Sequence, residues 1–226
     1  MPKTLLILII SLVLTLPCYA APCYGTKMPL QGDFFMGGQT NLIFERHLED
    51  EYGEMRSTQH FLLLSYGVAD WFVLDLKAGA GNIKQHPIGS DELDYPSSFA
   101  GGYGFRIKLY EDEKFKVVYG FQHISVHPRS IRIGGLKNTA VLDDWQTSLL
   151  VSYDFDKFNP YLGLKASRTD YIHWIEEDRK RKMSDLTEVP GLVVGCDFHL
   201  NQTTWLNFEG QFFDIEEFAF SINIAL

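Results

Sequence analysis

The chain has no surplus of positive charge. Its formal net charge is −9, and loss of Lys3, the one charged residue among the first twenty, makes it one unit more negative. With no basic stripe to neutralise phosphates, nucleic acid is excluded as a partner. Cysteine is scarce: three residues, Cys18, Cys23 and Cys196. That excludes a disulfide framework. Cys23 and Cys196 read as unrelated thiols, with a single bond between them as the alternative. No run after the first twenty residues reaches the roughly 20 apolar positions of a spanning helix. Zinc-ligand spacing, a phosphate-binding glycine loop and a redox pair are missing too, so no cofactor is expected.

What is present begins with a leader. Lys3 precedes the uncharged run 5–16, and Pro17 follows it. This is the order of a charged n-region, an apolar h-region and a cleavage site. Cleavage after Ala20 places Cys18 and Ala20 at the recognition positions. Lipidation of Cys18 or Cys23 is the alternative, and the proline directly before each (Pro17, Pro22) is a poor context for it. The domain reading is a signal peptide over 1–20, a periplasmic N-terminal segment over 21–31 and one β domain over 32–226.

That domain alternates with period two. Strands are predicted over 32–46, 57–66, 71–82, 98–110, 114–126, 143–154, 158–169, 189–200, 203–213 and 217–226. Their connections alternate in length. Short turns near 67–70, 111–113, 155–157 and 201–202 rotate with longer loops near 47–56, 83–97, 127–142 and 170–188, the last at 214–216 being brief. Short periplasmic turns and long extracellular loops produce this rhythm in transmembrane barrels, whereas nothing in a sandwich enforces it. The expected fold is all-β, a ten-stranded antiparallel up-and-down barrel in a bacterial outer membrane, with eight strands as the alternative. An even strand number puts both termini on the periplasmic side.

Period two also assigns faces. Phe99, Tyr103, Phe105, Ile107 and Leu109 oppose Gly102, Gly104, Arg106 and Lys108. Phe115, Val117, Tyr119 and Phe121 oppose Lys116, Gly120 and Gln122. The apolar faces meet lipid. The inward set carries both signs: Asp33, Glu45, Asp75, Asp154, Asp197 and Glu209 against Lys77, Arg106, Lys108, Lys116 and Lys165. Buried charges have to be paired, and a barrel of this size is filled by side chains. An ionic core is therefore expected in place of a wide pore. Trp71, Trp145, Trp174 and Trp205 fall near strand ends, as girdle residues do.

Two stretches carry a family resemblance. Ser152-Tyr153-Asp154-Phe155-Asp156-Lys157-Phe158-Asn159-Pro160-Tyr161-Leu162-Gly163 resembles the strand–turn–strand of small outer-membrane barrels of the opacity and OmpA-like group. The ending Phe218-Ala219-Phe220-Ser221-Ile222-Asn223-Ile224-Ala225-Leu226 resembles the C-terminal strand that the barrel-assembly machinery recognises, although Leu226 stands where phenylalanine or tryptophan is usual. The resemblance implies an integral outer-membrane protein. The group is functionally mixed, so it implies no single activity.

One stretch carries chemistry: Phe121-Gln122-His123-Ile124-Ser125-Val126-His127. His123 and Ser125 share the outward face, as does Asp143 on the next strand by parity with Trp145. Histidine beside serine, oriented by an acid, is the logic of acyl transfer. The element resembles the His-x-Ser of outer-membrane lipid A deacylases and phospholipases A. That resemblance implies Ser125 as nucleophile, His123 as base and Asp143 as orienting acid, with calcium entering for a phospholipase. Val126 departs from the asparagine usual after the serine. The bland alternative places both side chains among lipid headgroups.

Weaker signals lie in the loops. Glu49, Asp50, Glu51 and Glu54, then Asp91, Glu92 and Asp94, form acidic clusters that suit calcium or simply water. The run Arg179-Lys180-Arg181-Lys182 beside Trp174 suits anionic lipopolysaccharide headgroups. Outer-membrane lipids, lipopolysaccharide and the assembly machinery are thus the expected partners. The leading expectation is a non-enzymatic barrel acting in envelope integrity or surface interaction through its loops. The alternatives are an outer-membrane lipid acyl hydrolase and a narrow small-solute channel. Oligomeric state leaves no mark in the sequence.

Overall fold

The computed structural model describes residues 24–183 and 190–226. The leader read over 1–20, with Cys18, and also Cys23 lie outside the described residues.

Period-two alternation becomes strand throughout. The order is β1 (Phe34–His47), β2 (Glu54–Ala69), β3 (Phe72–His86), β4 (Leu93–Glu111), β5 (Phe115–Val126) and a short β6 (Ile131–Ile133). Then come β7 (Leu136–Tyr153), β8 (Phe158–Ile175), β9 (Asp178–Met183), β10 (Pro190–His199), β11 (Thr204–Phe212) and β12 (Glu216–Ala225). Neighbours pair antiparallel; β5 pairs β7, β8 pairs β7 and β10, and β12 returns to β1. Ten strands therefore close into a barrel with no open edge. β6 and β9 stand outside that ring and extend hairpins from β7 and β8. The fold is the expected all-β antiparallel barrel, with ten strands. The helix described is a single 3-10 turn, Asp50–Tyr52. No helix among the described residues is long and apolar enough to cross a membrane.

The turns at one end are tight because their side chains close them. In the turn 112–114, Asp112 accepts from the amides of Phe115 (2.8 Å) and Lys114 (2.9 Å) and from the Tyr110 hydroxyl. These donors hold its carboxyl below the usual carboxylate range. At the other end the strands run further than the apolar pattern marks. β3 reaches His86, β4 starts at Leu93 and β7 starts at Leu136, all inside segments expected as loop. Here the phase of the alternation inverts. On β5, Phe115 to Phe121 put apolar side chains outside; beyond them Ile124 and Val126 are buried inside, while His123 and Ser125 face out. A strand that leaves lipid for water must exchange an apolar outside for a polar one.

The lumen is filled in layers. At the short-turn mouth the segment before β1 folds inward. Arg106 makes a bidentate pair with Asp75, at 2.8 Å from both Nε and Nη2. Its Nη1 donates to the carbonyls of Lys27 (2.5 Å) and Tyr24 (3.3 Å). Lys77 lies 4.3 Å from the centroid of the Tyr24 ring, and Lys27 lies 4.2 Å from that of Trp205. In the middle, Tyr161 donates to Glu209 (2.8 Å), and Asn207 donates to Tyr161 and to Asp197 (2.9 Å each). A Cβ on Gly195 would stand 2.1 Å from the Tyr161 ring, so only glycine leaves that ring its place. Higher up, Asp214 accepts from Lys165 (2.9 Å) and Arg46 (3.3 Å), and Ser167 also donates to it. The loop-side layer is apolar: Ile43, Met55, Ile83, Tyr95, Leu142 and Tyr171 pack with Ile215.

Candidate functional site at the loop-side edge of the apolar belt

An apolar belt surrounds the barrel, with Leu62, Leu76, Phe99, Leu164, Val194 and Ile222 exposed on its outside. His123, Ser125 and Asp143 sit on the outer face at the belt's loop-side edge. Register sets their order. One rung across β4, β5, β7 and β8 reads Tyr103, His123, Trp145 and Arg168; the next reads Gly101, Ser125, Asp143 and Asp170.

The three residues come together, in an arrangement that differs from the expected triad. Ser125 Oγ donates to Asp143 Oδ1 at 2.5 Å and lies 2.8 Å from Nε2 of His127. His123 Nε2 is 3.6 Å from the same Asp143 oxygen, and its ring lies against Trp145 with centroids 3.9 Å apart. The acid thus bridges Ser125 and His123, and the serine's imidazole neighbour is His127. Sequence reasoning passed over His127 because it stood at the start of a loop. Its signal was parity, since it is two residues beyond Ser125. Asp170, beside Asp143, is buried under Arg168 (2.9 Å) and Arg181. Arg179 covers Trp174 at 4.8 Å.

Of the charges assigned to the lumen, Asp75, Lys77, Arg106, Lys165, Asp197 and Glu209 are buried within it. Lys108 and Lys116 meet at Glu111 near the short-turn mouth, at 2.5 and 2.7 Å. Asp154 caps the turn 154–157 by accepting from the Asp156 amide. Two placements correct the parity reading. Asp33 is exposed ahead of β1, where its carbonyl accepts from Gly67. Glu45 is outside the lumen, because a bulge between Ile43 and Glu45 shifts the phase and sends Arg46 inward instead. Trp205, read as a girdle residue, is buried against Lys27. Four further charges are buried in the lumen: Arg46 lies beyond the β1 bulge and Asp214 in a segment expected as loop, whereas Asp144 and Glu217 carry the inward parity of the strands expected over 143–154 and 217–226 and were left unassigned. The acidic loop clusters are partly spent on ion pairs: Arg56 with Glu92, Lys84 with Asp94 (2.7 Å), Lys182 with Asp50 (2.7 Å).

No protein-family model and no curated protein sequence matches the chain. Solved structures do. An outer-membrane channel from Pseudomonas putida F1 superposes with a TM-score of 0.51 at 9% identity, covering 92% of this chain and 100% of that one. The translocator domain of the autotransporter NalP from Neisseria meningitidis gives 0.47 at 9% identity, covering 89% and 90%. The outer-membrane protease OmpT from Escherichia coli gives 0.43 at 12%, covering 85% and 94%. At such identities the likeness is one of architecture: the chain has the fold of an outer-membrane β-barrel.

Proposed function

We propose that this is an integral barrel of a bacterial outer membrane, both termini periplasmic, acting in envelope integrity or surface contact through its loop-side rim. The observation that supports this is a lumen occupied from end to end inside an apolar belt. Among the described residues a charged middle layer is held between a folded-in N-terminal segment and an apolar plug, and this packing opposes the passage of a solute. The rim offers lipopolysaccharide headgroups Arg168, Arg179 and Arg181 beside Trp145 and Trp174. The outward Phe218, Phe220, Ile222 and Ile224 of β12 suit docking to the barrel-assembly machinery. The refolded barrel is expected to give no discrete conductance steps in planar bilayers. Deletion within 176–189 is expected to weaken binding to lipopolysaccharide vesicles while heat-modifiable gel mobility persists. Discrete steps would return the narrow channel to first place.

A second reading has one specific observation in its favour: the Ser125 hydroxyl lies between His127 Nε2 and Asp143 Oδ1 at the loop-side edge of the apolar belt. In this reading the Ser125 hydroxyl turns its proton from Asp143 Oδ1 to His127 Nε2, the ring carrying its own proton on Nδ1, and Ser125 Oγ adds to an acyl carbonyl while that proton passes to Nε2. The ester C–O bond then breaks, and the departing alkoxide takes that proton. Water repeats the sequence to release the fatty acid. Asp143, held by His123, stabilises the imidazolium only after the serine proton has left it. Ser125→Ala and His127→Ala are each expected to lower fatty-acid release at least about a thousandfold, with His123→Ala milder. Release from lipopolysaccharide or phospholipid, with and without calcium, is the measurement. Equal release by wild type and Ser125→Ala would leave the cluster as interfacial polarity.

A further inference from the structure

The bulge that expels Glu45 from the lumen builds a second polar patch, on β1–β3 rather than β5–β8. Glu45 and His47 now stand outside on β1. His47 is the register partner of Glu54 on β2, and Glu54 is the register partner of His86 on β3. Register partners share a face with Cβ atoms about 5 Å apart. Four side chains with metal-binding atoms therefore form one continuous patch across three strands. One ligand atom from each of Glu45, His47 and Glu54 already lies within 4.8 Å of the other two, His47 Nε2 being 3.1 Å from Glu45 Oε1.

Two further observations point to a cation. Glu45 also faces Glu216 across β12. Like charges directly opposite each other are destabilising, and no ion pair to Lys or Arg reaches Glu45, Glu54 or Glu216 among the described residues. The nearest cations on this face, Arg56 and Lys84, are committed to Glu92 and Asp94. The frame is also stiff. Gly53, just before Glu54, has φ +65°, and a Cβ there would stand 2.2 Å from the His86 carbonyl oxygen. The Ile88 amide donates to Glu51 (3.0 Å) and the Leu48 amide to Gly53 (2.7 Å). The turn before Glu54 is thereby packed directly on the strand end that carries His86.

We propose that Glu45, His47 and Glu54, with His86 as fourth donor, bind a divalent transition-metal ion of zinc type on the outside of the loop-side rim. Two imidazoles and two carboxylates suit zinc-like ions and are a poor match for calcium, which takes oxygen alone. Register places the site just past the loop-side edge of the apolar belt, next to the outward Phe44 and Phe218, with His47 and His86 exposed. Untagged, refolded barrel freed of metal by chelator and titrated with Zn2+ alone is expected to bind one equivalent. His47→Ala and Glu54→Gln should each weaken binding at least about tenfold, His86→Ala should weaken it too, and His60→Ala and His123→Ala should leave it unchanged. Calcium should not compete. No uptake of Zn2+, uptake unaffected by His47→Ala and Glu54→Gln in barrels shown to be folded by gel mobility, or displacement by calcium would each overturn the assignment.

Discussion

Arg106→Ala is expected to destabilise the barrel by about 3–5 kcal/mol, because it strands a buried carboxylate. Asp75 is wholly buried and loses both guanidinium hydrogen bonds. It keeps the Ser65 hydroxyl at 2.5 Å, while Lys77 is engaged over Tyr24. The same substitution removes the donor that fixes the Tyr24 and Lys27 carbonyls. Two readouts separate the effects. The urea midpoint of the refolded barrel reports the stranded charge, and trypsin cleavage after Lys27 reports the release of the N-terminal segment. The double variant Asp75→Leu/Arg106→Met should recover most of the midpoint, since an apolar pair can replace a buried ion pair at little cost. It should not recover protection at Lys27. If Arg106→Ala matched wild type in both readouts, Arg106 would not tie the segment to the wall.

Asp214→Ala is expected to cost as much or more. Its carboxylate faces two buried cations, Lys165 at 2.9 Å and Arg46 at 3.3 Å, and Arg46 also donates to the Asp214 carbonyl at 2.6 Å. Removing Asp214 takes from Lys165 and Arg46 the carboxylate they share in a buried layer, a loss of about 3–5 kcal/mol. The loop 213–215 should then loosen, because the neighbouring Ile215 is its other anchor in the apolar layer. Phe213, which is 75% exposed, makes the loop a chymotrypsin target. A lowered urea midpoint together with faster cleavage at Phe213 is the expected result. Asp214→Asn keeps an acceptor without the charge and should regain only part of the loss. A midpoint unchanged in both variants would show that the Asp214 cluster does not hold the lumen together.

The barrel was legible in the sequence wherever a strand runs through the belt. There one face must be apolar, and Phe99 to Leu109 or Phe115 to Phe121 announce it. Legibility ended where that requirement ends. Lys84 and His86 point outward on a strand that has left the belt, so polarity resembling a loop conceals regular pairing. Bulges were the second obstacle. Parity counted from Phe35 is correct up to Ile43 and wrong at Glu45, because one extra residue reverses every later side chain. Of the candidate site, the outward facing of His123, Ser125 and Asp143 followed from period two. Which imidazole touches the serine did not, because that depends on side-chain rotamers as well as register. The metal patch was hidden for both reasons, needing a bulge at Glu45 and a strand that reaches His86.

β1 and β12 are hydrogen-bonded partners although nearly the whole described chain separates them. The seam between them is therefore the contact with the longest loop to close, and such contacts form slowly. Until it forms, two strand edges stand open to any passing chain. The interior waits on the same event: Tyr24 must meet Arg106 of β4, while Gly25 packs against Asp197 of β10 and Asn207 of β11. Assembly of this protein is thus governed at one place, and the time spent before β12 finds β1 is the time during which it can aggregate.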